Sequence, residues 1–334
     1  MRVLLAGATG AIGRPLIRGL KQHGHSAFGL VRSSESARML TEMGAEALIG
    51  DAVDAASIRA AITRVRPDAV INELTSLPRH YTPAEMKAAA ERDSRVRREG
   101  HVNLLAGMRE SGVRRYVLQS SGFWYAPGPG LADESSPLAV DASPGVAAGA
   151  RAYLELESTA FQASEIDCVA MRYGFFYGPG TWYTNADDMG EQVRRQQVPI
   201  IGAGQGVASF VHIEDAASAT VAALECAPGA HNIVDDHPSQ QRVWLPAFAR
   251  ACGAPEPVEI SEQEALATSG PDSVYYATRL RGASNEKARH ELNFHPRPLE
   301  WLQARAVPAQ RTRRIPTDTL DVDPVSDPSS RAKK

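Results

Sequence analysis

The chain has 334 residues, long enough for one large α/β domain with an appended lobe or for two domains. A hydrophobic share of 43% with 22% charged residues belongs to an ordinary globular protein, and a formal net charge of -3 makes no electrostatic case for nucleic acid as the main partner. No apolar run reaches the length of a membrane span.

In the first half, short apolar runs at 3–6, 27–31, 47–49, 69–71, 116–118 and 168–171 predict strands. The stretches 15–22, 55–65 and 84–111 between them have helical composition. Strands that alternate with helices predict parallel βαβ units, because a parallel connection needs a crossover. Several in succession predict an α/β fold with a doubly wound parallel sheet. After Arg172 the rhythm changes. A turn at 176–180 precedes a helical stretch at 187–196. A strand at 210–212 leads into a helix at 216–224, and 231–234 reads as a further strand. Small helices are predicted at 243–252, 285–292 and 299–304. This mixed region fits a smaller C-terminal lobe interleaved with the end of the sheet. The tail 308–334, rich in Pro, Asp, Ser, Arg and Lys, reads as disordered. Arg95-Val96-Arg97-Arg98 and Arg311-Thr312-Arg313-Arg314 read as solvated surface. Cys168, Cys226 and Cys252 are an odd number without metal-type spacing, which fits reduced thiols in a cytoplasmic protein.

Between the first strand and the first helix lies Gly7-Ala8-Thr9-Gly10-Ala11-Ile12-Gly13. Gly7 permits a tight turn, Gly10 lets the backbone approach a pyrophosphate, and Gly13 allows close helix–strand packing. Backbone N–H groups at the helix start then face the phosphates. The loop lacks the Gly-Lys-Ser/Thr ending of an ATP-type P-loop. In this context it predicts a Rossmann dinucleotide site. At the end of the second strand an NAD site usually carries an acid for the ribose 2′-hydroxyl, whereas Arg suits a 2′-phosphate. This chain reads Gly29-Leu30-Val31-Arg32-Ser33-Ser34, so Arg32 and Ser33 point to NADP(H), with NAD(H) as the alternative.

These residues, taken in order, resemble the extended and atypical short-chain dehydrogenase/reductase superfamily, the NAD-dependent epimerase/dehydratase group. The further stations are Gly50-Asp51, Val70-Ile71-Asn72-Glu73-Leu74, Gly100-His101-Val102-Asn103-Leu104-Leu105, Ser120-Ser121, residues 172–180, residues 210–215 and Ala283-Ser284-Asn285-Glu286-Lys287. The resemblance covers the chain to about residue 305. It implies that Asp51 and Ala52 lie by the adenine ring, that Leu74 and Thr75 line the phosphate and ribose path, and that the backbone of Tyr173, Phe175 and Phe176 passes the nicotinamide.

The family's catalytic set is a Ser or Thr with a Tyr-x-x-x-Lys pair. Ser positions a carbonyl or hydroxyl, Tyr transfers the proton, and Lys holds the ribose while lowering the Tyr pKa. Ser121 matches the hydroxyl, with hydrogen bonding at a strand end as the plain structural reading. Tyr-x-x-x-Lys is absent: the helix reads Gly149-Ala150-Arg151-Ala152-Tyr153-Leu154-Glu155-Leu156-Glu157. Counting back from Arg172 puts Gly149 at the Tyr position and Tyr153 at the Lys position. In the other register Tyr153 is the acid and Glu157 replaces Lys, where a carboxylate raises a phenol pKa. Three alternatives follow: Tyr153 donates from a shifted position, Tyr125, Tyr183 or a water protonates the alkoxide, or the protein binds its cofactor without chemistry.

The domain expectation is a dinucleotide-binding domain over 1–175, completed by about 207–235, with a substrate lobe from 176–206 and 236–307. A Pro/Gly/Ser-rich loop at 127–144 is long enough to cover a site, and Phe123, Trp124, Tyr125, Trp182 and Tyr183 are candidates for a wall against a flat ring. The leading functional expectation is an NADP(H)-dependent reductase acting on a ketone of a small or polycyclic metabolite, as monomer or homodimer, without nucleic acid, membrane or metal. A nucleotide-sugar epimerase or dehydratase and a non-catalytic NADP(H)-binding regulator are the alternatives.

Overall fold

The computed structural model describes residues 1–303, which form one compact unit; the predicted disordered tail lies outside them. The first part alternates as expected: β1 (Arg2–Ala6), α1 (Gly13–Gln22), β2 (Ser26–Val31), α2 (Ser34–Glu42), β3 (Glu46–Ile49), α3 (Ala55–Val65), β4 (Ala69–Asn72), α4 (Pro83–Ser111), β5 (Arg115–Ser121), α5 (Pro144–Gln162) and β6 (Asp167–Tyr173). The second part holds β7 (Phe175–Tyr177), α6 (Asp188–Arg194), β8 (Ile200–Ile201), β9 (Val207–Ala208), β10 (Phe210–His212), α7 (Ile213–Ala222), β11 (Gly229–Ile233), β12 (Ser239–Gln240), α8 (Gln241–Ala251), β13 (Glu259–Ile260), α9 (Glu262–Thr268), α10 (Pro271–Thr278), α11 (Glu286–Glu291) and α12 (Glu300–Gln303).

Seven strands form one parallel sheet in the order β3-β2-β1-β4-β5-β6-β11. The order reverses between β1 and β4, and ligands of open α/β sheets bind at the carboxyl ends of the strands beside such a reversal. β1 and β4 are buried on both faces and almost wholly apolar, as a central parallel strand requires. Alternation divides β1 between two layers. Val3 and Leu5 pack with Leu16, Ile17 and Leu20 of α1. Leu4 packs with Ile58 and Ile62 of α3 and with Leu104 and Met108 of α4. Local chemistry sets the helix ends. Thr82 caps α4 by accepting the Glu85 N–H at 3.2 Å, and Gly112 closes it in the left-handed region.

A separate apolar cluster joins Tyr177, Tyr183, Phe210, Trp244, Phe248 and Trp301, with rings meeting edge to face. Three features of this half differ from the sequence expectation. Phe175–Tyr177, at the start of the expected turn, form β7 paired with β10. α9 and α10 occupy 262–278, where no helix is predicted. Short two-residue strands pair β8 with β13 and β9 with β12. Residues 127–143 run without a helix or named strand, tied by bridges from Tyr125 to Leu138 and from Ala132 to Ala283.

A buried ion pair fixes α5 against the sheet. Arg172 donates from Nε to Glu157 Oε1 at 2.9 Å and from Nη2 to Oε2 at 2.6 Å, with side chains 8% and 3% exposed. Ser120 Oγ donates to Glu157 Oε1 at 2.5 Å, and Arg172 Nη1 donates to Tyr125 Oη at 2.9 Å. Removing one partner strands a charge in a dry site. Glu157→Ala is expected to lower stability by about 3–5 kcal/mol. Arg18→Ala, which breaks the half-exposed pair with Glu214, is expected to cost under about 1 kcal/mol. Urea denaturation of the two variants checks the contrast, and equal losses would contradict it.

Candidate active site

The glycine loop joins β1 to α1 above the β4 end. Gly7 has φ +90°, and a Cβ there would lie 2.3 Å from the Glu73 carbonyl oxygen. A Cβ on Gly13 would lie 2.4 Å from the Ala8 carbonyl oxygen, so the loop's own backbone demands this glycine. Gly10 donates its N–H to the Gly7 carbonyl at 3.0 Å, and Thr9, Gly10 and Ala11 are open to solvent. Ile12 caps α1 without a side-chain acceptor, and the first turn carries no acid. The cradle and its uncovered N–H groups therefore fit a diphosphate.

At the β2 end Arg32 is exposed and holds no side-chain partner among the described residues. Ser33 serves the helix that follows, since its Oγ accepts the Ser36 N–H at 3.2 Å and so caps α2. Asp51 Oδ1 accepts the Val53 N–H at 3.2 Å, and the Ala52 carbonyl accepts Asn103 Nδ2 at 2.9 Å. Ala52 and Leu74 meet at Gly100 of α4, where an added Cβ would lie 2.5 Å from Leu74 Cδ1 and 3.5 Å from Ala52 Cβ. Leu74 donates its N–H to Asn72 Oδ1 at 3.1 Å, and Thr75 follows, half-buried.

Beneath the loop sits a carboxyl to which the sequence motifs assign no role. Glu73 is buried, and Tyr173 donates its hydroxyl to Oε1 at 2.9 Å, with Thr220 Oγ1 2.5 Å from the same Tyr173 oxygen. Glu73 Oε2 has no partner among the described residues. Burial pushes its pKa up to about 8, against the smaller lowering by the Tyr173 hydroxyl and Arg97. At neutral pH the group is therefore mostly protonated, which keeps negative charge low beneath the glycine loop.

The residues expected at the reacting end gather where β5 and β6 finish. Ser121 is buried beside Tyr173 in the strand register, and its Oγ accepts only a long 3.5 Å contact from the Phe123 N–H. Phe123 stacks on Phe175 at 4.1 Å between ring centroids, which draws the Ser121 segment to the 173–176 backbone. Phe176 is half-buried against Tyr173. Tyr125 does not join this wall. It is fully buried, donates to Asn232 Oδ1 at 2.6 Å, and has its pKa pushed up to about 12 by burial. Tyr183 packs among Phe210, Trp244 and Phe248, and Trp182 stacks on Tyr81.

Position 149 explains why no Tyr stands there. The Trp124 indole covers Gly149, and a Cβ would lie 2.3 Å from Trp124 Cη2. Trp124 Nε1 donates to Tyr276 Oη at 2.9 Å, which pins the ring in place. One turn on, Tyr153 Oη accepts a short hydrogen bond from Arg97 Nη1. Burial pushes the Tyr153 pKa up to about 12, and the Arg97 charge only moderates this. Arg95 and Arg98 are surface residues paired with Glu99 and Glu155, as expected of that basic cluster, but Arg97 turns inward. Ala89, Asp93, Arg97, His101, Leu104 and Met108 follow helical spacing along one face of α4, a signal that the basic run 95–98 masks. Among the described residues no group of three or more His, Cys, Asp or Glu side chains could hold a metal. No described helix is long and apolar enough to cross a membrane.

Two expectations follow. Gly149→Ala is expected to destabilise by about 1–3 kcal/mol through overpacking, more than the ~1 kcal/mol that Gly to Ala returns inside a helix. Adding Trp124→Ala should cancel most of the overpacking term; a double-mutant cycle measures this, and additivity would contradict it. Glu73 keeps its proton in the folded chain to about pH 8, whereas the unfolded chain releases it near 4.5. The stabilising contribution of this group is therefore full below about pH 4.5, falls as pH rises toward 8, and is level above that. Glu73→Gln should remove this slope from the stability–pH curve; an unchanged curve would contradict it.

The family model for the NAD dependent epimerase/dehydratase family matches residues 3–234. The chain is 38% identical over 304 residues to 3-diazoavenalumate denitrifying reductase of a Streptomyces species, covering 90% of this chain and 98% of that one. It is 27% identical over 268 residues to 2-alkyl-3-oxoalkanoate reductase of Stenotrophomonas maltophilia, covering 76% and 77%. Among solved structures, a UDP-glucose 4-epimerase from Stenotrophomonas maltophila with bound NAD and formylated UDP-arabinopyranose superposes with a TM-score of 0.70 at 19% identity over 92% of this chain and 96% of that one; at such identity the likeness shows the fold alone. With the glycine cradle, the strand order and these matches together, the chain belongs to the NAD-dependent epimerase/dehydratase family, the extended short-chain dehydrogenase/reductase type that its motifs resemble.

Proposed function

We propose that this chain is an NADP(H)-dependent reductase that delivers hydride to a flat, conjugated acid without a Tyr–Lys proton donor, its substrate class being aryl diazo acids. The observation that carries this reading is Trp124 packed over Gly149, which fills the place of the family's acid. The remaining phenol, Tyr153, is tied to Arg97, and its pKa lies near 12. A group so weakly acidic at neutral pH is a poor proton donor. Reduction of a ketone leaves an alkoxide that must be protonated. Loss of nitrogen from an aryl diazonium needs no such proton: hydride forms the new C–H bond, the C–N pair leaves with N2, and NADPH is oxidised to NADP+. The name of the 38% identical relative, a denitrifying reductase of a diazo acid, agrees with this chemistry.

A bound NADPH would supply the hydride, and positioning would supply most of the catalysis. The cradle Gly7, Thr9, Gly10, Ala11, Ile12 and Gly13 would hold the diphosphate, and Arg32 the 2′-phosphate. Asp51 and Ala52 would flank the adenine, with Leu74 and Thr75 along the ribose path. Phe123, Trp124, Phe175 and Tyr276 offer aromatic faces to a flat ring. The substrate lobe drawn from the sequence, 176–206 and 236–307, contributes Tyr276. A second reading, reduction of a 3-oxo acid, is favoured by Ser121, whose hydroxyl proton has no acceptor among the described residues; the 2-alkyl-3-oxoalkanoate reductase is named for that chemistry. Three unpaired cysteines fit a reducing, cytoplasmic setting.

The test is oxidation of NADPH and of NADH with aryl diazonium acids, 3-oxo acids and nucleotide sugars, with N2 measured. The expected result is preference for NADPH and release of N2 equal to the NADPH consumed, retained in Tyr153→Phe. Turnover of 3-oxo acids alone, lost in Ser121→Ala and Tyr153→Phe, establishes the second reading instead. Binding of NADPH with no turnover on any panel would leave a regulator.

A further inference from the structure

α5 offers no lysine to the reacting end, yet a buried cation stands there, supplied from α4. The Arg97 side chain is 12% exposed. Nε donates to Asp93 Oδ2 at 2.7 Å, and Nη1 donates to Gln119 Oε1 at 3.2 Å and to Tyr153 Oη. The guanidinium carbon lies 5.1 Å from the Tyr153 ring centroid. A guanidinium has five N–H donors, and these bonds use those of Nε and Nη1. Nη2 has no partner among the described residues and is not sealed from solvent, so its two N–H groups stay open to a ligand.

Its neighbours place it along the cofactor path. Asp93 Oδ1 accepts the Ser76 N–H at 2.5 Å, so the Arg97–Asp93 pair is locked to the segment leaving β4, directly after Leu74 and Thr75. Gln119 stands two residues before Ser121 at the carboxyl end of β5. Arg32 and Asp51 lie on the other side of the β1–β4 reversal, at the ends of β2 and β3. A dinucleotide whose adenosine half rests there and whose diphosphate lies in the Gly7–Gly13 cradle crosses β4 and β5 with its second ribose. That ribose carries two adjacent hydroxyls, and the paired N–H groups of a guanidinium edge suit neighbouring oxygens.

We propose that Arg97 holds the nicotinamide-side ribose of NADP(H) through Nη2 and at the same time orients Tyr153, so that an arginine from α4 takes the place left without a lysine on α5. This rests on the reading that the chain binds NADP(H). In accepting from Arg97, Tyr153 Oη keeps its own proton for a bound ligand, and no acceptor for that proton exists among the described residues.

The test compares the affinity of the full chain for NADPH with that for 2′,5′-ADP, which carries the adenosine half and no second ribose, by calorimetry. Arg97→Gln is expected to weaken NADPH about tenfold or more and to leave 2′,5′-ADP within about twofold. Arg97→Lys should recover part of the loss. Unchanged NADPH binding in Arg97→Gln overturns the proposal, and so does equal weakening of both ligands in both variants, which marks a purely structural arginine. Arg32→Ala should weaken both ligands. If it weakens neither, the NADP assignment fails separately, and the same comparison of NADH with 5′-AMP then decides the role of Arg97.

Discussion

The bidentate pair between Glu157 and Arg172 is the constraint on which the reacting end depends. It couples α5 to β6 inside the protein, and Ser120 adds β5 to the same carboxylate. With Glu157 fixed, Tyr153 and Gly149 follow at successive helical turns, each about 6 Å along the axis. The register of α5 is therefore not free. The alternative in which Glu157 replaces a lysine beside Tyr153 loses its basis, because both Glu157 oxygens are occupied by Arg172 and Ser120.

The glycine loop and the ends of β5 and β6 are built on different principles. At the cradle, shape comes first: Gly7 and Gly13 are glycines because backbone carbonyls lie where a Cβ would go. Charge there is kept low. Glu73 is the acid packed beneath the loop, and burial keeps it protonated at neutral pH. The reacting end instead concentrates charge and aromatic area. Arg97 and Asp93 make a nearly buried pair, with the guanidinium against the Tyr153 ring, and Tyr153 in turn meets Trp124, which contacts Phe123 and Tyr276. A flat electrophile gains from such faces, whereas a sugar with many hydroxyls would leave them poorly matched.

The doubly wound sheet was legible because central parallel strands are buried on both faces and read as plain apolar runs, as in β1 and β4. The cradle was legible because three glycines stand between such a strand and an amphipathic helix. The second half was harder to read. β8, β9, β12 and β13 are two residues long, and their partners lie some 30 to 60 positions away in the chain, beyond any local pattern. Arg97 was hidden by its neighbours: flanked by Arg95 and Arg98, it looked like one of a solvated run, although helical spacing from Leu104 and His101 puts it on the inner face. The covering of Gly149 by Trp124 joins residues 25 positions apart through a loop, and no periodicity reports such a contact.

The absent dyad and the unforeseen helices belong to one arrangement. Trp124 can stand over Gly149 because its indole N–H has an acceptor, the Tyr276 hydroxyl on α10. Without that partner the half-buried indole N–H would lose a hydrogen bond and the ring would be held less firmly. α10 is held to the start of α5 by Asp272, whose Oδ1 accepts the Gly145 N–H at 3.0 Å. α10 thus reaches back to hold the Trp124 ring, which in turn dictates glycine at 149. A tyrosine placed at that position by itself would collide with the indole, so glycine at 149 is fixed by the packing of α10 on Trp124.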